Sequence, residues 1–136
     1  MKVLVDTCVW SLALRRRNKT ALNPEEQRLA GLLRQATQDA RVAIIGPIRQ
    51  EVLSGIRDKA QFEKTEQLLE PFPDEQLTTA DFVEAAHGFN LCRDRGLECG
   101  PIDILICAVA ARRHFSVLSS DQALIRCLTV LGIPQS

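Results

Sequence analysis

The stretch that decides the fold is Lys2-Val3-Leu4-Val5-Asp6, near the start of the chain. Its short run of β-branched and apolar residues is typical of a buried strand, which we expect to end at Asp6. Four further runs are predicted as strands, with the second of them the weaker in pattern: residues 42–45, 72–77, 115–118 and 128–131. The gaps between these runs are long enough to hold helices.

Helix signals fill those gaps. Asn23 followed by Pro24 and two glutamates is typical of a helix start, because Asn caps free amides, Pro fits the first turn and acids complement the helix dipole. Gly46-Pro47 and Gly100-Pro101 open two more predicted helices. Others are predicted from Cys8 to about Arg17, up to Leu69, from Thr78 or Thr79 to about Arg93, and after a cap at Ser119 or Ser120. Strands separated by helices imply parallel pairing through crossover connections, and therefore an α/β sandwich.

Length and composition bound what the chain can be. Its 136 residues fit a single domain, 1–136, and 46% hydrophobic with 25% charged residues exclude disorder for most of the chain. Seventeen basic and seventeen acidic side chains exclude a polycation that binds nucleic acid by bulk charge. Residues 1–68 nevertheless carry +4 and residues 69–136 carry −4, so the neutral total can hide a basic patch and a separate acidic site.

The cysteines and the N-terminus predict a cytoplasmic protein. Five cysteines form no C-x-x-C pair, and neither histidine stands at ligand spacing from one, so zinc is not expected. Their odd number, mostly inside apolar runs, predicts reduced and buried thiols. Asp6 interrupts the apolar N-terminal run and Arg15-Arg16-Arg17 follows it, which is the wrong order for a signal peptide. No stretch approaches the roughly 20 apolar residues of a membrane span.

Four acids are predicted to meet at one edge of the sheet. Asp6 ends the first strand, and Asp121 lies three residues beyond the strand at 115–118. Glu51 lies in the first turns of one helix, and Asp103 lies in the first turn of another. Ligands of open parallel sheets bind beyond the carboxyl ends of the strands. Clustered carboxylates need a cation, and Mg²⁺ or Mn²⁺ suits hard oxygen ligands, so such a site can hydrolyse a phosphodiester.

Three of these acids also have a purely structural interpretation. Asp103 can complement the dipole of its helix, Asp121 can cap a helix, and Glu51 can be a solvated helix residue. Asp6 has no such pattern, because it directly follows a buried strand. The joint occurrence of the four acids, more than any one of them, favours a site.

The motifs that carry the acids resemble those of PIN-domain ribonucleases, most closely the VapC-type toxins of bacterial and archaeal toxin–antitoxin pairs. The likeness extends from residue 2 to residue 134 and rests on four motifs in order: Val5-Asp6-Thr7-Cys8, Glu51-Val52-Leu53-Ser54-Gly55, Asp103-Ile104-Leu105-Ile106-Cys107-Ala108 and Leu118-Ser119-Ser120-Asp121.

The resemblance implies a parallel five-stranded sheet between helices, RNA cleavage with Mg²⁺ or Mn²⁺, a homodimer, and silencing by a small antitoxin. By position it assigns four acids to the catalytic metal site and two hydroxyls to its edge: Asp6, Glu51, Asp103 and Asp121, then Thr7 and Ser119. Many members carry a second Asp two residues after the fourth acid, followed by Phe. This chain has Ala123 and Leu124 there, so the number of metals stays open between one and two.

Other enzyme classes lack a required residue. A HAD-type phosphatase needs a second Asp where Cys8 stands, and both it and a phospho-receiver domain need a late lysine, whereas the last one here is Lys64. The glycines form no G-x-G-x-x-G motif, which excludes a dinucleotide binder of that type. Two function classes remain: a metal-dependent endoribonuclease toxin, and a PIN-like module that binds RNA or protein without cutting. The presence of all four acids favours the enzyme.

A few remaining side chains have weaker signals. Trp10 and most of the five phenylalanines are predicted to be core, since they are too scattered for a base-stacking platform. The basic cluster, Arg15-Arg16-Arg17 with Lys19, is either a solvated helix face or a track for an RNA backbone. His87 is predicted to be structural, and His114 gives no reason to expect imidazole catalysis.

Overall fold

The computed structural model describes residues 1–15 and 21–136. The basic cluster of residues 15–17 and 19 falls at the gap between these ranges, and its side chains lie outside the described residues. Both interpretations of this cluster, a solvated helix face and a track for an RNA backbone, therefore stay open.

Short strands alternate with helices along the chain, as the sequence predicts. The strands are β1 (Val3–Val5), β2 (Val42–Ala43) and β3 (Ser116–Leu118). The helices are α1 (Thr7–Arg15), α2 (Pro24–Gln38), α3 (Gly46–Leu53), α4 (Lys59–Leu69), α5 (Thr79–Asp94), α6 (Pro101–Arg113) and α7 (Gln122–Leu131).

The sheet is parallel and has the order β2-β1-β3, so the first strand lies at its centre. Val3 is opposite Val42 on one side and opposite Ser116 on the other. All three residues of β1 and all three of β3 are buried. The parallel pairing confirms the predicted α/β arrangement. A central strand buried on both faces needs an apolar run, and the residues of β1 provide it.

The expectation of five strands is wrong for the described residues, which form three. The run at 72–77 makes only one isolated bridge, between Asp74 and Ile44, because Pro73 has no amide to extend the pairing. Residues 128–131 are the last turn of α7, not a strand. Beyond α7, Gln135 makes a second isolated parallel bridge to Val117. The sheet is therefore extended by one residue pair at each edge.

The helix starts follow the sequence signals with one exception. Asn23 forms the predicted cap of α2, and its side chain and that of Glu26 bond reciprocally to each other's backbone amides. Thr78 likewise caps α5. The cap of α7 is Asp121 and not Ser119 or Ser120, which corrects the prediction for that helix.

The hydrophobic core contains Trp10, which is 2% exposed and packs edge-on against Phe72 with ring centroids 5.1 Å apart. The prediction that most phenylalanines are core is wrong. Phe115 is buried, whereas three others are exposed on α4 and α5: Phe62, Phe82 and Phe89. The inward faces of α4 and α5 are formed by other residues, so these phenylalanines lie on the faces exposed to water.

The free cysteines follow the prediction in part. Four of them are buried, whereas Cys8 is only half-buried: Cys92, Cys99, Cys107 and Cys127 form the buried set. His87, predicted to be structural, is exposed on α5. Among the described residues, no helix has the length and apolar character needed to cross a membrane.

Candidate functional site

The end of β1 places Asp6 at the carboxyl edge of the sheet. Its amide donates to the carbonyl of Leu118 in β3 at 2.9 Å, and its own carbonyl accepts from the amides of Val9 and Trp10 at 3.1 and 3.2 Å. Asp6 thus ends a strand and begins helix α1 at the same time. These bonds fix the backbone of Asp6 on both sides.

Three donors orient the Asp6 carboxylate. The Thr7 amide donates to Oδ1 at 2.8 Å, the Ser119 hydroxyl donates to Oδ2 at 2.7 Å, and the Cys8 thiol donates to Oδ2 at 3.5 Å. Asp6 is buried, and burial raises its pKa because it disfavours the charged form more than these hydrogen bonds favour it. A buried carboxylate with an elevated pKa gains most from a cation close by.

Asp121 caps α7 and also belongs to the acidic group. Its Oδ1 accepts from the amides of Ala123 at 2.9 Å and Leu124 at 3.4 Å, which leaves Oδ2 outside the cap. The Asp121 amide donates to the Ser119 hydroxyl at 3.0 Å. Ser119 therefore connects Asp121 to Asp6, and the capping and the site interpretations of Asp121 are both compatible with the structure.

Glu51 approaches from α3. The Thr7 hydroxyl donates a hydrogen bond to the Glu51 carboxylate, joining the first turn of α1 to α3. Glu51 is exposed, as its solvated-helix interpretation requires, yet it is held by a residue adjacent to Asp6. The hydroxyl predicted at the site edge thus orients an acid.

Asp103 lies in the first turn of α6 and is half-buried. Burial and the negative charges of Asp6, Asp121 and Glu51 together raise the pKa of Asp103 to about 6, with burial the largest cause. All three other acids therefore lie close enough to Asp103 to oppose its ionisation.

All four acids line one cleft of about 560 Å³. Thr7 and Cys8 line it beside them, together with the start of α6 at Gly100 and Pro101. Ser119 is buried behind Asp6. In the part of the chain that the structure describes, no lysine or arginine lines this cleft, so protein cations do not neutralise its charge there.

A family model of the PIN domain matches residues 3–127 of this sequence. The chain belongs to the PIN-domain family. Two solved structures have the same fold as this PIN domain. FitAcB from Neisseria gonorrhoeae has a TM-score of 0.76 at 17% identity, covering 98% of this chain and 95% of that chain. VapBC2 from Rickettsia felis, bound to a DNA fragment from its promoter, has a TM-score of 0.75 at 15% identity, covering 100% and 98%. A search of curated protein sequences found no match.

The donor chemistry of this PIN domain fits a hard divalent cation, because its cleft offers several carboxylate oxygens and no competing cation among the described residues. Residues 1–15 and 21–136 hold no group of three His, Cys, Asp or Glu side chains placed closely enough to enclose an ion. Binding of a cation by several of these acids at once would therefore require side-chain movements.

Sequence reasoning missed one residue of this PIN-domain cleft. Cys8 lies within the first motif, but no role is predicted for it. Residues two apart on a helix do not face one another, so no local sequence pattern predicts the contact of Cys8 with the Asp6 carboxylate.

Proposed function

We propose that this PIN domain is a Mg²⁺- or Mn²⁺-dependent endoribonuclease that acts as the toxin of a toxin–antitoxin pair. The observation that carries the proposal is the cleft in which Asp6, Glu51, Asp103 and Asp121 converge from four separate elements. Structural acids are normally paired or solvated one by one. Four of them in one cleft, with the pKa of Asp103 raised by burial and by the charges of the other three, favour a cation site.

The residues take different parts in this mechanism. Asp6, fixed by three donors, and Asp103 would hold the cation, and Asp121 Oδ2 and the carboxylate of Glu51 would complete the set of ligands. When bound, the cation neutralises phosphate charge and activates a water for in-line attack. Asp103 must lose its proton before it serves as a ligand. Ser119 orients Asp6, and Thr7 orients Glu51.

RNA cleavage by the purified protein tests the nuclease. We expect cleavage with Mg²⁺ or Mn²⁺ and none with a chelator. Asp6→Asn and Asp103→Asn keep side-chain size but remove charge, so each should lower the rate at least 100-fold while the fold persists. Asp94→Asn is the matched control, because Asp94 is an exposed acid at the end of α5. Near-wild-type cleavage by folded Asp6→Asn would exclude the assignment of Asp6.

The alternative, a module that binds RNA or protein without cutting, predicts a different result in the same assay. RNA would be retained by the protein in a gel-shift experiment with Mg²⁺ and would remain intact. The negative charge of the four acids would then be dispensable, and Asp6→Asn would bind as the wild type does.

A small antitoxin is the proposed partner. The likeness of the motifs to VapC-type toxins and the fold shared with VapBC2 and FitAcB support this. An antitoxin arginine would bridge two carboxylates of the cleft and displace the cation. Co-expression with the neighbouring small gene tests this: growth arrest by the chain alone, lost in Asp6→Asn and relieved by the neighbour, is the expected result. A harmless chain would contradict the toxin role.

We further propose a cytoplasmic homodimer, because the proposed substrate is RNA and because α5 leaves Phe82 and Val83 each 51% exposed. Apolar side chains that water contacts in one subunit are candidates for burial against another. Light scattering on the purified protein should give twice the monomer mass of 15.1 kDa.

A further inference from the structure

The sulphur atom of Cys8 lies between two parts of the acidic cleft. It donates to Asp6 Oδ2 at 3.5 Å and lies 3.7 Å from the Ser119 hydroxyl. From the other side, the Ser120 amide donates to it at 3.5 Å and the Ser120 hydroxyl at 3.3 Å. One thiol therefore contacts the carboxylate at the end of β1 and the loop that leads from β3 to Asp121.

This arrangement distinguishes Cys8 from the other cysteines of the chain. Cys8 is half-buried and lines the acidic cleft, as well as a neighbouring cavity of about 590 Å³ beside α2. The other four are buried in the hydrophobic core. Of the five cysteine sulphurs, that of Cys8 therefore lies in contact with an acid of the cleft.

We propose that Cys8 is a positioning residue that holds the Asp6 carboxylate and the loop before Asp121 in fixed relation for metal binding. This role rests on the proposed function of the cleft. Cys8 acts through the Asp6 carboxylate on one side and through Ser120, in the loop before Asp121, on the other.

The hydrogen bonds of Asp6 explain why loss of the Cys8 thiol would lower the affinity of the cleft for a metal ion. Oδ1 of Asp6 is held by a backbone amide, whereas Oδ2 is held by two side chains, the Ser119 hydroxyl and the Cys8 thiol. Without Cys8, Ser119 alone holds Oδ2, and the side-chain connection between α1 and Ser120 is lost. Groups that orient metal ligands typically change metal affinity about 10- to 100-fold when removed.

Three variants test this role: Cys8→Ala, Cys8→Ser and Ser120→Ala. The readouts are Mn²⁺ affinity by calorimetry and RNA cleavage at saturating Mn²⁺. Cys8→Ala should weaken Mn²⁺ binding about 10-fold, the lower end of that range, because a thiol is a weak donor. Cys8→Ser should recover most of the affinity, because a hydroxyl both donates to Asp6 and accepts from Ser120. Ser120→Ala should weaken binding by a smaller factor.

The control is Ser11→Ala, one turn further along α1, which should bind Mn²⁺ as the wild type does. Thermal unfolding of each variant separates positioning from packing. Unchanged Mn²⁺ affinity in Cys8→Ala would overturn the proposal, and so would equal losses in Cys8→Ala and Cys8→Ser. If Cys8→Ala does not fold, Cys8→Ser and Ser120→Ala decide, and wild-type affinity in Ser120→Ala would overturn it. A wild-type protein that binds no Mn²⁺ would instead overturn the function proposed for the cleft, and this role with it.

Discussion

At the scale of single residues, the four acids of the cleft differ in how much of their charge is already compensated. Asp6 has three hydrogen-bond donors and Asp121 has two helix amides, while Glu51 is exposed and has the Thr7 hydroxyl. Asp103 is half-buried, and its three acidic neighbours all oppose its ionisation. It is therefore the carboxyl whose proton is most closely tied to the cation.

Metal binding should release a proton from Asp103. Since its pKa is about 6, roughly half of the molecules carry this proton at pH 6, and bound Mn²⁺ would expel it. Calorimetry at pH 6 in two buffers of different ionisation enthalpy should show about half a proton released per ion, falling toward zero at pH 8. Equal enthalpies in the two buffers at pH 6 would contradict this.

The same group should make the metal-free protein less stable at neutral pH. A folded-state pKa raised above the ordinary value of about 4 means that the folded state binds more protons than the unfolded state between pH 4 and 6, so stability falls as pH rises through this window. Without metal, Asp103→Asn should therefore melt at a higher temperature than the wild type at pH 7, and the difference should shrink at pH 4. Thermal unfolding at the two pH values measures it.

At the scale of elements, the start of α7 combines two duties in Asp121. Asn caps helices about as well as Asp, so Asp121→Asn should keep the unfolding free energy near that of the wild type while lowering RNA cleavage. Asp121→Ala removes cap and charge together, and should also cost about 1 kcal/mol of stability. Urea unfolding beside the cleavage assay separates the two effects. Equal stability of the two variants would show that the cap contributes nothing.

The elements show where sequence reasoning succeeds. Gly46-Pro47 and Gly100-Pro101 predict α3 and α6 because they act locally, through a fixed φ and a missing amide. Residues 128–131 carry no such local signal, because an apolar residue such as Leu128 fits a buried strand and a buried helix face equally well. Leu128 lies on the same buried face of α7 as Leu124 and Cys127, and the packing of that face stabilises the helix. A short apolar run cannot be assigned by its own composition.

The sequence predicts the meeting of two of the cleft acids because their positions follow from the topology of the sheet. Asp6 and Asp121 follow strands, and a parallel sheet collects strand ends at one edge, so topology alone brings them together. The contact of Thr7 with Glu51 depends instead on how α1 and α3 pack, which no local pattern encodes. Phe82 and Phe89 were misassigned for the same reason: whether a helix face is covered is decided by its neighbours.

At the scale of the whole molecule, a buried ion cluster joins α5 to the end of α6. Asp81 is fully buried, and it accepts from Arg113 at 2.9 and 3.0 Å and from Arg112 at 2.6 Å. Arg113 also donates to the carbonyl of Gln76 at 2.8 Å. The hydrogen bonds from Arg113, which have the largest effect, and from Arg112 hold the pKa of Asp81 well below its usual range.

Removal of this carboxylate should destabilise the fold without touching the cleft. Asp81→Ala leaves two arginines without their partner and should cost about 3 kcal/mol, the low end for a broken buried pair, because both arginines retain some access to water. Since the folded-state pKa is depressed, the contribution of Asp81 is present above pH 4 and lost as pH falls below it. Urea unfolding at pH 7 and pH 3 checks both statements; an equal loss at the two pH values would refute the second.

The central place of β1 determines when the protein can act during its own synthesis. The ribosome makes Asp6 long before residues 116–119, which hold the strand that pairs beside it and the serine that orients it, and Asp121 follows these. At 5–20 residues per second, the two acids emerge roughly 6 to 23 s apart. An unfinished chain therefore has no complete cleft. For the ribonuclease proposed above, this delay would protect the message and the ribosome that are producing it.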